Sequence, residues 1–148
     1  MVIIRQIEYN DIDKGFLEVL DNLLATNIDS KEHAKEILKN IKSNPLHKIF
    51  VAEDDVNGKI IVGTTTLLVE PKFINKGMRV GYIEDVSVRK GYEGLGIGSQ
   101  LINYATTDAI SVENCKKVLL YCSESTRAFY EKLGYKLMQD TFLMKFEP

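Results

Sequence analysis

The sequence predicts an α/β fold with a central mixed sheet and helices on both of its faces. Three observations support this prediction. Strand-like runs recur along the chain, they alternate with amphipathic helical stretches, and a glycine-rich turn joins the clearest strand to the longest helix. The 45% hydrophobic and 27% charged content is that of one globular domain, expected to span residues 1–148.

The first half of the chain is expected to contribute three strands and two helices. Asn10 is expected to cap the first helix, whose apolar stripe is Ile12, Phe16, Val19, Leu20 and Leu23. Ser30 is expected to cap the second helix, which Pro45 ends. Asn57-Gly58 has the composition of a hairpin turn. The strands are predicted at Val2–Ile7, Ile49–Glu53 and Ile60–Val69.

The second half is predicted to alternate strands and helices. A loop at 72–77 follows Pro71 and leads into a strand over Arg79–Val88. Apolar residues then recur at helical spacing from Gly96 to Val112. The remaining predicted elements are a strand at Lys117–Cys122, a short helix at Thr126–Leu133 closed by Gly134, and a last strand at Thr141–Phe146.

The turn between the fourth strand and the long helix holds four glycines within eight positions. A strand, such a turn and a helix direct several backbone N–H groups and a helix N-terminus at one point, which attracts a phosphate. The spacing excludes a P-loop, because Ile97 stands where that motif needs lysine, and a dinucleotide fingerprint, because Ser99 replaces its third glycine. A tight turn without a ligand is the alternative.

The run Glu93-Gly94-Leu95-Gly96-Ile97-Gly98 resembles the acyl-CoA pyrophosphate loop, Arg/Gln-x-x-Gly-x-Gly/Ala, of the GCN5-related N-acetyltransferases. The predicted order of elements is also similar to that superfamily along the whole chain. The resemblance implies a sheet whose central strands splay apart, with acetyl-CoA as co-substrate. No metal is expected, because no cluster of Cys and His has metal-type spacing. It places the acetyl-CoA contacts at Val86, Ser87, Val88, Glu93, Gly94, Leu95, Gly96, Ile97, Gly98, Ser99, Thr126, Arg127, Ala128 and Tyr130.

Within that superfamily the chain resembles the eukaryotic glucosamine-6-phosphate N-acetyltransferases. The resemblance rests on Ile83-Glu84-Asp85-Val86, on Phe129–Tyr135, on Lys72-Phe73-Ile74 and on the stretch from Arg5 to Leu20. It implies acetyl transfer from acetyl-CoA to glucosamine 6-phosphate in a ternary complex, on the route to UDP-N-acetylglucosamine. It also implies an intertwined homodimer with shared sugar sites, whose substrate contacts are Lys72, Phe73, Ile74, Asn75, Glu84, Asp85, Val86, Tyr121, Cys122 and Lys145.

The chain departs from the family pattern at five positions. Glu93 replaces Arg or Gln at the head of the loop, and Lys145 replaces the arginine expected at the sugar phosphate. The other departures are Tyr121 for Asp or Glu, Thr126 for Asn and Leu24 for Thr.

Four side chains are the candidates for chemistry. Glu84, with Asp85 beside it, is a base or proton relay if it lies among apolar neighbours such as Val86 and Val88, and otherwise a carboxylate paired with Arg79 or a lysine. Tyr130 either protonates the departing thiolate or is a core aromatic residue. Cys122 invites a covalent mechanism, although no histidine partner is evident, and a bystander thiol is the alternative.

Composition narrows the partners. A net charge of −2 argues against nucleic acid and membrane surfaces, since both favour a basic face. No signal peptide or transmembrane run is evident, and two cysteines without metal-type spacing indicate free thiols, so we expect a cytoplasmic protein. Two other functions stay open: acetyl transfer to another small amine or a peptide N-terminus, and a CoA-binding domain without turnover.

Overall fold

The computed structural model describes residues 1–148 and contains one five-stranded mixed sheet. The strands are β1 (Val2–Gln6), β2 (His47–Asp54), β3 (Ile60–Pro71), β4 (Arg79–Val88) and β5 (Cys115–Leu120), and they lie in the order of the chain. Strands β1 to β4 are antiparallel to their neighbours, while β5 runs parallel to β4. The predicted mixed sheet is therefore confirmed.

Helices cover both faces of this sheet. They are a 3₁₀ helix (Tyr9–Lys14), α1 (Phe16–Asp21), α2 (Lys31–Lys42), a single turn α3 (Ile74–Gly77), α4 (Ile97–Thr107) with a π-helical extension (Asp108–Val112), and α5 (Glu124–Lys132). The α1–α2 side packs over a core that includes Val19, Leu38 and Val51, and the α4 side over one that includes Leu67 and Leu101. None of the helices is long and apolar enough to cross a membrane.

The first predicted helix is broken in two, and its cap is not the predicted one. Glu8, not Asn10, caps the 3₁₀ helix, and Gly15 separates this helix from α1 with a φ of 88°. The Gly15 carbonyl accepts a 2.7 Å hydrogen bond from Arg89, and a Cβ at Gly15 would lie 2.1 Å from that guanidinium. Only glycine fits this left-handed, crowded position. The contact with Arg89 therefore divides the predicted helix, whose apolar stripe is expected to be continuous, into two shorter helices.

The second predicted helix is confirmed with its cap. The Ser30 hydroxyl accepts a 3.1 Å hydrogen bond from the backbone N–H of His33, as a serine N-cap does. The fourth strand and the long helix also lie where the sequence predicts them.

The predicted last strand, Thr141–Phe146, does not form. Every residue from 136 to 148 is exposed and outside any strand or helix. The alternation that predicts a strand is present, but a strand also needs a neighbouring strand to satisfy its backbone groups, and this segment finds none in its own chain. The preceding strand also ends early, so Tyr121 and Cys122 lie beyond β5.

Candidate active site

The glycine-rich turn directs backbone N–H groups at one open point. Gly91, Gly94 and Gly96 all have φ between 77° and 90°, and a Cβ at any of them would meet nothing within 4 Å. Gly96 is the N-cap of the eleven-residue α4, and Ile97 anchors the helix in the core with 2% exposure. The open space above the turn therefore faces a helix N-terminus lined by left-handed glycines, which suits an anionic group.

Glu93 is folded back onto this turn. Its carboxylate accepts a 2.6 Å hydrogen bond from the backbone N–H of Gly91 and lies 3.4 Å from the Asn22 amide. Backbone N–H groups, those of Glu93 itself and of Gly91, lower the pKa of the Glu93 carboxyl. The residue that replaces the family's Arg or Gln is thus an anion that orders the loop from within.

Strands β4 and β5 separate beside the turn. Their parallel pairing runs from Arg79 opposite Cys115 to Ile83 opposite Leu120 and ends there. From Glu84 to Val88 the β5 side of β4 has no strand partner, which leaves a slot along this segment. The splay that the resemblance implies is therefore present, and Val86 and Val88 lie along its wall.

A β-bulge at Asp85 changes which side chains share a face. Thr64 pairs with Ser87 and Thr66 with Glu84, so Asp85 and Val86 together oppose Thr65, and Asp85 has a φ of 51°. Beyond the bulge Val86 and Val88 pack with Ile83 on the α4 side. The expectation that Glu84 shares a face with Val86 and Val88 is wrong, because the extra residue reverses the alternation.

Glu84 and Asp85 are both exposed, and neither forms an ion pair or hydrogen bond through its side chain. Arg79, a predicted partner for Glu84, pairs with Glu113 at 2.9 Å instead. Glu84 is therefore neither buried among apolar groups nor paired with another side chain of the chain. The two carboxylates instead stand free at the open end of β4, where an amine can approach them.

Tyr130 lies half-buried on α5, next to the slot. Its ring makes edge contacts with Phe129, at 4.9 Å between centroids, and with Tyr135, at 6.2 Å. Burial raises the pKa of the Tyr130 hydroxyl, and the neighbouring Cys122 and Tyr135 raise it further. Tyr130 therefore holds its proton at neutral pH, which an acid for a thiolate requires.

The other α5 residues that are predicted to contact acetyl-CoA lie in the first half of that helix. Thr126 donates its hydroxyl to the Ser123 carbonyl, and Arg127 pairs with Glu131 at 2.6 Å. Ala128 is exposed, and Phe129 approaches Gly98 closely enough that a Cβ there would lie 3.5 Å from the ring. The loop, the end of β4 and α5 thus meet, and Gly98 is the point of contact.

The predicted sugar-side residues do not all meet in one chain. The segment Lys72–Asn75 follows β3 at the far end of β4, and Val86 is seven residues along that strand from Arg79, about 20 Å away. Lys72 is paired with Glu70 at 2.8 Å, and the Tyr82 hydroxyl donates to the same carboxylate. Phe73 and Ile74 are exposed, and Lys145 pairs with Glu147 in the tail.

Two cysteines differ in environment. Cys115 is buried, and burial raises its pKa, whereas Cys122 is exposed and forms no hydrogen bond. No group of His, Cys, Asp or Glu in the chain has a geometry suited to a metal ion.

Sequence reasoning missed two contacts that position the site. The Asn22 amide donates a 2.7 Å hydrogen bond to the Val88 carbonyl, and the Ser87 hydroxyl donates a 2.6 Å bond to the Val19 carbonyl. Both tie α1 to the end of β4. The bulge had a signal in the sequence, because Ile83 and Val86 are three residues apart and interrupt the two-residue alternation.

Comparison with known protein families gives the same superfamily as the resemblance of the glycine-rich loop. The profile of the acetyltransferase (GNAT) family matches residues 16–135. This chain belongs to the GNAT acetyltransferase family. As an acetyltransferase it is an acyl-transferring enzyme, and its glycine-rich loop and splayed strands are where the resemblance implies them.

Two curated relatives match most of the chain. The glucosamine 6-phosphate N-acetyltransferase of Arabidopsis thaliana is 34% identical over 132 residues, which cover 88% of this chain and 87% of the relative. The enzyme of the same name from Candida albicans is 36% identical over 133 residues, covering 89% and 87%. The crystal structure of the Arabidopsis enzyme superposes with a TM-score of 0.90 at 30% identity and covers 99% of both chains.

Proposed function

We propose that this enzyme transfers the acetyl group of acetyl-CoA to the amine of glucosamine 6-phosphate. The products are N-acetylglucosamine 6-phosphate and CoA, which places the enzyme on the route to UDP-N-acetylglucosamine. The observation that carries the proposal is the left-handed glycine turn at the start of α4 beside the splayed end of β4. The similarity to enzymes of that name along most of the chain supports the choice of acceptor.

Acetyl-CoA binding is the role of the turn and the slot. The N–H groups from Gly94 to Ser99 hold the pyrophosphate at the start of α4, as helix N-termini hold anions. Backbone groups of the segment Val86, Ser87 and Val88 hold the pantetheine arm in the manner of an added strand, apart from the Val88 carbonyl, which already accepts the Asn22 hydrogen bond. The Val86 N–H then lies beside the thioester carbonyl and stabilises the oxyanion that develops there.

Transfer is direct, in a ternary complex. A sugar amine titrates near an α-amino group, at about 8, so a useful neutral fraction exists at neutral pH. Glu84 and Asp85, both free, orient the amine and accept its proton, and Tyr130 gives its proton to the departing thiolate. Cys122 is a bystander, because it is exposed and no base contacts it.

The sugar site is completed by a second copy of the chain. Within one chain the Lys72–Asn75 segment is too far along β4 to reach Val86, and the tail from 136 to 148 exposes Phe142, Leu143, Met144 and Phe146. A homodimer covers these apolar side chains and brings Lys72 and Lys145 to the partner's sugar phosphate. Both lysines must then leave Glu70 and Glu147. Tyr121 and Cys122 flank the sugar on the β5 side.

The proposal places the enzyme in the cytoplasm, where its two free thiols remain reduced. Residues 1–148 act as one domain. Metal, nucleic acid and membrane have no part in the reaction. The exposed Leu24 and Tyr121, where the family carries polar side chains, are the features that favour a different small amine or a peptide as acceptor.

The test is an assay of the purified protein with acetyl-CoA and a panel of acceptors. Glucosamine 6-phosphate, glucosamine, amino acids and a peptide are compared by release of free thiol and by the mass of the product. We expect rapid turnover with glucosamine 6-phosphate. Turnover with an amino acid or the peptide alone would establish the other acceptor, and CoA binding without turnover would establish a non-catalytic domain.

A further inference from the structure

An apolar cavity of about 200 Å³ lies between the α1–α2 pair and the sheet. Ten of its fourteen lining residues are hydrophobic, including Phe16, Leu20, Ala34 and Ile37. The protein interior is normally packed without voids much larger than a water molecule. An opening of this size beside the end of β4 is therefore a feature that a ligand can use.

Asp85 links this cavity to the chemistry of β4. Asp85 lies at the bulge and lines the cavity, and the next residue is Val86, on the wall of the acetyl-CoA slot. Asp85 has no ion pair or hydrogen bond within the chain. A ligand whose body fills the cavity and whose nitrogen reaches this carboxylate thus has its nitrogen next to the acetyl donor.

The charge of the cavity lining suits a positively charged amine and not a phosphate. No lysine or arginine lines the cavity, and its remaining polar groups are His47, Thr64 and Thr66. The Thr64 hydroxyl is already bonded to the Phe50 carbonyl at 3.0 Å. A phosphate would meet the Asp85 carboxylate and an apolar wall, whereas an ammonium group with an apolar body would match both.

The volume fixes the size of the occupant. An apolar protein cavity of about 150 Å³ accommodates a benzene ring, so a space of this size takes a ring with a short arm or a chain of about six carbons. The arm carries the nitrogen out to Asp85.

We propose that this enzyme also acetylates small primary amines with an apolar body, which bind in the cavity lined by Phe16, Leu20, Ala34 and Ile37. The nitrogen attacks the thioester carbonyl carbon, a C–N bond forms, and the C–S bond breaks with its electron pair on sulfur. Before the attack, the ammonium nitrogen loses one proton to Asp85, which passes it to water. Tyr130 protonates the sulfur, and the second proton, which the nitrogen loses as the amide forms, returns through water to the Tyr130 oxygen. The proposal rests on the proposed acetyl transfer but not on the sugar as acceptor.

The experiment compares 2-phenylethylamine, n-hexylamine, ethanolamine and glucosamine 6-phosphate in one thiol-release assay. The variant Ala34→Leu fills the cavity from α2, and Lys39→Leu, on the exposed side of the same helix, is the matched control. We expect the parent and the control to acetylate the two apolar amines but not ethanolamine. In Ala34→Leu the KM for 2-phenylethylamine should rise about tenfold or more, while turnover of glucosamine 6-phosphate stays within about twofold.

A second measurement does not depend on the fold of a variant. The isoleucine methyl resonances of the parent, bound to CoA, are followed as 2-phenylethylamine is added. We expect selective shifts at Ile37 and Ile41, which line the cavity. Unshifted methyls together with no acetylated apolar amine would overturn the inference and leave the sugar proposal intact. The same would hold if Ala34→Leu acetylated the apolar amines as the parent does.

The reverse result separates the two proposals. Acetylation of apolar amines without acetylation of glucosamine 6-phosphate supports the inference and rejects the sugar as acceptor. If the exposed Phe73 of a second copy fills the cavity, the parent fails with apolar amines and only Phe73→Ala acetylates them. That outcome also overturns the inference for the parent protein.

Discussion

The Glu93 carboxylate accepts a 2.6 Å hydrogen bond from the backbone N–H of Gly91. This contact closes the glycine turn from the inside, at the position where the family pattern has a cation or an amide. The loop therefore has its own internal anion, while the space beside Gly94 and Gly96 remains open. The Glu93 carboxylate therefore has two opposite effects on acetyl-CoA binding. It orders the loop, which favours binding, and it repels the pyrophosphate, which disfavours binding.

The substitution Glu93→Gln separates these two effects. The glutamine side chain retains an oxygen for the Gly91 N–H but removes the charge that repels the pyrophosphate. We expect acetyl-CoA to bind about two- to fivefold more tightly at low salt, with the gain disappearing at high salt, because exposed charges interact weakly and are screened. Calorimetry at two ionic strengths measures this. Unchanged acetyl-CoA affinity at low salt would mean that the Glu93 carboxylate does not repel the pyrophosphate.

Gly96 is the position in the turn where a side chain should be most harmful to acetyl-CoA binding. Gly96→Val forces a β-branched residue to a φ of 79° and fills the space above the helix N-terminus. We expect the acetyl-CoA affinity to fall more than about tenfold, since the pyrophosphate meets that side chain.

Gly58→Val is the matched control for this change. Gly58 has a similar φ of 82° with open space around it, but it lies in the turn between β2 and β3. The control should lose comparable stability in thermal unfolding and bind acetyl-CoA normally. Equal affinity in both variants would show that the glycine turn does not hold the cofactor.

Tyr130→Phe tests the leaving-group acid. The ring contacts with Phe129 and Tyr135 remain, and only the hydroxyl is lost. We expect kcat to fall by about 10²–10⁴, the scale of general acid catalysis, with little change in acetyl-CoA binding. Tyr135→Phe is the control, because its hydroxyl bonds Thr106 and should affect stability alone. A kcat within about twofold of the parent would make Tyr130 a core residue.

The exposed tail predicts a homodimer. Sedimentation of the parent should give twice the 16.8 kDa mass of the chain at assay concentrations. Leu143→Asp places a charge among the apolar tail residues and should shift the protein to monomer with loss of sugar turnover, since burying an unpaired charge is costly. Lys145→Ala changes a charge alone and should remain dimeric. A fully active parent monomer would rule out shared sites.

The sequence was sufficient for the parts of the site that depend on local pattern. The strand before the turn, the left-handed glycines and the long helix each follow from residues close together in the chain, so their spacing predicts them. Ser30 is a similar case, because a helix cap depends on the next three residues.

The parts that depend on distant contacts were not predictable in the same way. The break at Gly15 exists because Arg89, from the end of β4, occupies the space beside it. The face of Glu84 depends on a bulge, and one extra residue moves every later side chain to the other face. The tail has a strand pattern, but a strand also needs a neighbouring strand, and none in the chain pairs with this segment.

A competition assay tests the central claim most directly. Equal amounts of glucosamine 6-phosphate and glucosamine compete for limiting acetyl-CoA, and the ratio of the two products gives the ratio of kcat/KM values. Lys72 and Lys145 should favour the phosphorylated sugar by about 1.5–3 kcal/mol of charge-assisted hydrogen bonding, or about 10- to 150-fold. Lys145→Ala should reduce this ratio and leave the KM for acetyl-CoA unchanged. A product ratio near one in the parent would contradict the assignment of glucosamine 6-phosphate as the acceptor.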